Sequence, residues 1–107
     1  MIQLTAFISK LSNDDIEIVT SLYETQKKRM YNIALKILNK PEYAEEALHE
    51  AFLRIMDNIE RIKGLPYSER PPFCTTIIKN ISKNMLRDKI PQLSFEEIAY
   101  SIEQGGK

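Results

Sequence analysis

The chain has 107 residues, 43% of them hydrophobic and 28% charged, with three glycines and five prolines. That is the size of one packed domain, too apolar for disorder and too poor in Gly and Pro for a fibre. Fifteen acidic and fifteen basic residues cancel, which argues against a simple basic nucleic-acid binder.

A single Cys (Cys74) and a single His (His49) exclude an internal disulfide framework and leave too few ligands for a Cys/His zinc site. No apolar run approaches the roughly 20 residues of a membrane span, and residues 1–8 lack the basic start and long apolar core of a secretory signal. The expectation is a cytoplasmic protein without a membrane-crossing segment. The zero net charge conceals alternation along the chain. Acids Asp14, Asp15, Glu17 and Glu24 precede Lys27, Lys28, Arg29, Lys36 and Lys40. Glu42, Glu45, Glu46, Glu50, Asp57 and Glu60 then outweigh Arg54, and bases dominate residues 61–89. Adjacent segments of opposite sign give separate faces opposite potentials, or simply attract one another.

Residues 1–13 read as an N-terminal segment. Apolar residues at 16, 19, 22, 23, 30, 33, 34, 37 and 38 keep i, i+3, i+4, i+7 spacing, so 14–38 is predicted as one long amphipathic helix or two with a bend near residues 26–28. Asp14 and Glu17 are a plausible capping pair, and Asn39-Lys40-Pro41 ends the helix and opens the next. A second helix is expected over 41–62, with Ala44, Ala47, Leu48, Ala51, Phe52, Ile55, Ile59 and Ile62 on one face. One glycine and three prolines make Lys63–Pro72 an irregular loop.

A third helix is expected from about Pro72 to Lys89, burying Phe73, Cys74, Ile77, Ile78, Ile81 and Met85. A short fourth is expected over 95–103, with Ser94 and Glu97 as a capping box, inside an acidic segment, 90–107. No stretch alternates as a strand does. The fold class is all-α, a compact bundle of three to four helices built mainly on 14–89.

Catalysis has little to stand on: the sequence offers no nucleophile–base pair, glycine-rich phosphate loop or metal motif, and no cofactor is implied. Carboxylates sharing one exposed helix face are usually solvated charges rather than an acid–base pair. In the third helix Lys79, Lys83 and Arg87 recur every four residues, with Asn80 and Asn84 beside them. Cations neutralise phosphates and amides pair with exposed base edges. The preceding loop adds Lys63, Tyr67, Arg70 and a rigid backbone suited to walling an unstacked base. The bland alternative for such a stripe is a solvated helix face.

The order Tyr23…Met30-Tyr31-Asn32-Ile33-Ala34, Ala44-Glu45-Glu46-Ala47-Leu48-His49-Glu50-Ala51-Phe52 and Phe73…Ile77-Ile78-Lys79-Asn80-Ile81…Arg87 resembles region 2 of bacterial RNA polymerase sigma factors, in particular the extracytoplasmic-function class. His49 stands where the family has Gln, Tyr43 where it has Asp, and Phe73 where it has Trp. The resemblance implies that Glu45, Glu46, His49, Glu50 and Arg54 dock on the β′ clamp helices of RNA polymerase core. It further implies that Lys63, Tyr67, Arg70, Lys79, Asn80, Lys83, Asn84 and Arg87 meet the non-template strand of the promoter minus-ten element, melted and with a base flipped out. An anti-sigma factor is a further possible partner. Sigma factors of this class also carry a helix-turn-helix domain, for which residues 90–107 are too few; they resemble the start of the linker leading to it. The rival expectation is a helical protein–protein adaptor or regulator that does not bind DNA.

Overall fold

The computed structural model describes residues 11–89, all helix, turn or short connection, with no strand among them. The expected fourth helix, 95–103, and residues 1–10 lie outside the described residues. Helix α1 spans Asn13–Leu38, without a break at residues 26–28. Its cap is not the Asp14–Glu17 pair: Ser12 takes the extended conformation, and its hydroxyl accepts the Asp15 amide at 3.2 Å. The run Ser12-Asn13-Asp14-Asp15 offers four good capping residues in succession, and the first of them closes the helix. The far end is closed by Asn39 at φ 65°, whose amide donates to the Leu35 carbonyl.

Helix α2, Pro41–Asp57, starts on proline where no amide bond is lost. It is shorter than the expected 41–62. Asn58 interrupts it: the residue leaves the helical conformation at φ −108°, ψ 23°, and its side-chain amide joins its backbone N–H in donating to the Arg54 carbonyl, at 2.8 Å. A one-turn helix α3, Ile59–Lys63, follows and keeps Ile59 and Ile62 buried. After Gly64–Pro66 the chain makes a 3₁₀ turn, Tyr67–Glu69, and enters α4, Arg70–Asn84. The expected loop is therefore shorter than Lys63–Pro72, because Pro71 and Pro72 sit in the first turn of α4, where their missing N–H groups cost nothing. The last turn, Met85–Lys89, widens to i→i+5 bonding.

Helices α1, α2 and α4 each pack on the other two, so the core is a triangle in cross-section. Met30, Ala34 and Leu38 of α1, Ala44, Ala47, Ala51 and Ile55 of α2, and Cys74, Ile78 and Ile81 of α4 meet inside it. The alanines let the helices approach closely and the long aliphatics fill the space between them. Ser82 is also fully buried, and among the described residues its hydroxyl has no hydrogen-bond partner.

Candidate functional site

The acidic helix places Glu45, Glu46 and Arg54 on the exposed face of α2, with His49 and Glu50 half-buried at its flank. Glu45, Glu46 and His49 occupy the side away from Ala47, Ala51 and Ile55, as 100° per residue requires, while Glu50 and Arg54 lie at its edge, toward Ala47. The half-buried Leu53 lies among them, giving the face an apolar spot. A groove of about 830 Å³ separates the first turns of α2 from α1, with Glu42, Glu45, Glu46 and His49 on one wall and Tyr23, Lys27, Lys28 and Tyr31 on the other. Leu48 and Phe52 also line it. The Tyr23 ring meets Phe52 edge-on at 5.0 Å, and the Lys27 ammonium sits over Tyr23 at 4.8 Å. The face is thus not uniformly negative. Sequence reasoning missed this α1 wall, although Tyr23, Lys27 and Tyr31 recur every four residues and had to share a face.

Lys63 closes α3 instead of belonging to the loop, and its side chain reaches across to α1. Its ammonium pairs with Asp15 Oδ1 at 3.1 Å and with Glu60 at 3.5 Å. Contact with the Asp15 carboxylate, then the charge of Glu60, holds the Lys63 ammonium above its ordinary pKa. Asp15 is only 6% exposed, and among the described residues its Oδ1 has no partner but this ammonium. An acid placed one turn before Val19, in the apolar register of α1, was the available signal for a buried carboxylate.

Arg70 Nη2 donates to the Lys63 carbonyl at 3.4 Å, and its guanidinium lies 4.4 Å from the centre of the Tyr67 ring. Tyr67 itself is 83% exposed. Tyr67, Arg70 and Pro71 form one side of a groove of about 310 Å³ whose other side is Glu17, Ile18, Ser21, Leu22 and Thr25 of α1. A ring backed by a guanidinium, with its remaining surface in solvent, is a stacking platform for another planar group.

Beyond it, Lys79, Asn80, Lys83, Asn84 and Arg87 are all exposed along α4 and the turn that follows. Lys79 and Lys83 have no ion-pair partner among the described residues. Arg87 is partly neutralised: it pairs with Asp88 at 3.0 Å and donates to Asn84 Oδ1 at 3.0 Å. That contact raises the Arg87 pKa and lowers that of Asp88. Two turns before Asn80, in the same register of α4, the Arg61 guanidinium covers Phe73 at 5.5 Å. The five α4 residues thus share an open surface, whereas Lys63 stands apart from them, tied to α1.

Among the described residues, no helix is long and apolar enough to cross a membrane, and no group of three or more His, Cys, Asp or Glu side chains could hold a metal. The arrangement offers cations, amides and an aromatic ring to an extended polyanion, and a mixed acidic and apolar helix face to a protein.

Comparison with protein families gives a match to sigma-70 region 2 over residues 22–90. No curated protein and no solved structure matches the chain. The match takes in most of α1 and all of α2, α3 and α4, the helices that carry both surfaces. The chain therefore belongs to the sigma-70 region 2 family, the helical module that serves RNA polymerase binding and promoter recognition.

Proposed function

We propose that this chain is a region 2 module of the extracytoplasmic-function type, which joins RNA polymerase core to the melted minus-ten element. The face of Glu45, Glu46, His49, Glu50 and Arg54 docks on the β′ clamp helices. Tyr67 and Arg70 receive a base extruded from the non-template strand, and Lys79, Asn80, Lys83, Asn84 and Arg87 hold the strand and the adjoining duplex. Extruding a base costs a few kcal/mol, which stacking and phosphate neutralisation must offset.

The observation that carries this reading is the open Tyr67 ring stacked on Arg70 beside a groove, at the entry to the helix that bears Lys79 and Lys83, cations without an ion-pair partner among the described residues. The test is binding of the full chain to a fluorescent single strand of minus-ten sequence and, separately, to polymerase core. Lys79→Ala with Lys83→Ala should weaken DNA binding and lower the slope of log K against log salt by about 1.4, at roughly 0.7 per phosphate contact. Core binding should stay intact. An unchanged salt slope would reject the role given to α4.

A second reading, a helical adaptor that never meets DNA, draws support from the α1–α2 groove, whose mixed charges and apolar lining suit a protein segment. An anti-sigma factor is a partner of that kind. Binding to neither polymerase core nor DNA would favour it.

A further inference from the structure

Apart from Lys27 and Lys28, which also line the α1–α2 groove, the basic half of α1 belongs neither to the acidic face of α2 nor to the surface made by the loop and α4. Lys28, Arg29, Asn32 and Lys36 are all exposed there and, with Thr25 and Ile33, line a shallow concavity of about 460 Å³. None of the three cations has an ion-pair partner among the described residues. Arg29 donates to Gln26 at 3.2 Å, which fixes its direction without neutralising its charge.

Position gives these cations meaning. Thr25 belongs to two hollows at once: the basic concavity and the groove formed with Tyr67, Arg70 and Pro71. The two are consecutive along α1 and meet at one residue. Arg29 is close enough to α4 for its charge to act on Cys74, so Arg29 and Lys36, two turns on, lie on the α4 flank of α1, while Lys28 also borders the α1–α2 groove. Helix α4, which packs along α1, bears Lys79 and Lys83 on its exposed side. From Thr25 to Lys36 the helix advances about 16 Å at 1.5 Å per residue. A single strand rising about 3.4 Å per nucleotide would cover that length with four to five nucleotides.

We infer that Lys28, Arg29 and Lys36 form a track for the sugar–phosphate backbone of the same DNA strand whose extruded base rests on Tyr67 and Arg70. The inference builds on the function proposed above. Phosphates carry no base identity, so the track adds affinity and sets the path of the strand without reading sequence. Nucleic acid is favoured over an acidic protein because the row is continuous with the loop groove, and because one stretch of bare cations suits a regularly spaced polyanion.

The test uses the full chain and single strands of minus-ten sequence, untailed or with five thymidines added at the 5′ or the 3′ end. The wild type should bind the strand tailed at one of the two ends more tightly than the untailed strand. Lys28→Gln/Arg29→Gln/Lys36→Gln should bind the untailed strand as the wild type does, lose the gain from the tail, and show a salt slope on the tailed strand lower by about 2. Its thermal unfolding should match the wild type, since all three side chains are exposed. No tail gain in the wild type, or a gain that survives the triple substitution, overturns the inference while leaving the proposed function standing. Loss of polymerase core binding with the tail gain retained assigns the row to the polymerase and overturns it too. Failure of the wild type to bind even the untailed strand removes the function and the track together.

Discussion

Cys74 shows how a single residue is read by its surroundings. It occupies the stripe that continues through Ile78, Ile81 and Met85, and it is fully buried. Loss of hydration pushes its thiol from 9.0 up to about 11, against a smaller opposing effect of the Arg29 charge. The unfolded chain therefore releases this proton at lower pH than the folded one, so above about pH 9 the unfolded state binds fewer protons and stability falls as pH rises. The contribution is complete below pH 9 and is lost progressively up to about 11. Urea unfolding followed from pH 7 to 11 should show a steeper alkaline decline for the wild type than for Cys74→Ala, which starts less stable because it leaves a small void. Parallel declines would show that the thiol is hydrated after all. This burial was legible in the sequence from spacing alone. The Lys63–Asp15 pair was not, because it joins residues far apart in the chain through the packing of α1 on the loop.

At the scale of elements, apolar periodicity placed the main helices and misled at one boundary. Ile55, Ile59 and Ile62 keep helical spacing across the break at Asn58, so nothing in the pattern marks an interruption. The interruption comes at Asn58, which leaves the helical conformation (φ −108°, ψ 23°) while its side-chain amide and its own backbone N–H share the Arg54 carbonyl, a local feature that hydrophobic spacing does not register. The prolines misled in the other direction: Pro71 and Pro72 suggested loop, yet the first helical turn accepts them. The α1–α2 corner was placed correctly, and its mechanism can be tested. Asn39 sits at φ 65°, a conformation that Asn tolerates, Gly prefers and residues with an ordinary Cβ resist. Asn39→Ala should lower stability by about 1 kcal/mol, whereas Asn39→Gly should be near neutral. Urea midpoints at constant m-value measure both, and equal losses in the two variants would move the cause from backbone conformation to the side chain.

For the whole molecule, the arrangement of charge matters more than its sum. Acids gather on the outer face of α2, and cations without ion-pair partners among the described residues on α4 and along the basic stretch of α1, so zero net charge coexists with surfaces of opposite sign. What joins the bundle to the loop is the ion pair between Asp15, near the start of α1, and Lys63, at the end of α3. Asp15 precedes the stretch 22–90 matched to the family, so the first turns of α1 act as a brace for a loop that the matched portion supplies. If Lys63 positions the loop, Asp15→Asn and Lys63→Met should each weaken single-strand binding several-fold, leave the salt slope unchanged, and combine without further loss, since both remove one interaction. If Lys63 instead touches a phosphate, Lys63→Met alone should lower the slope by about 0.7, and Asp15→Asn, by freeing the ammonium, should tighten binding. Because Asp15 lies almost wholly out of water, the brace predicts that its loss is felt first in the loop: faster proteolysis near Tyr67 should appear in Asp15→Asn while α2 still binds polymerase core.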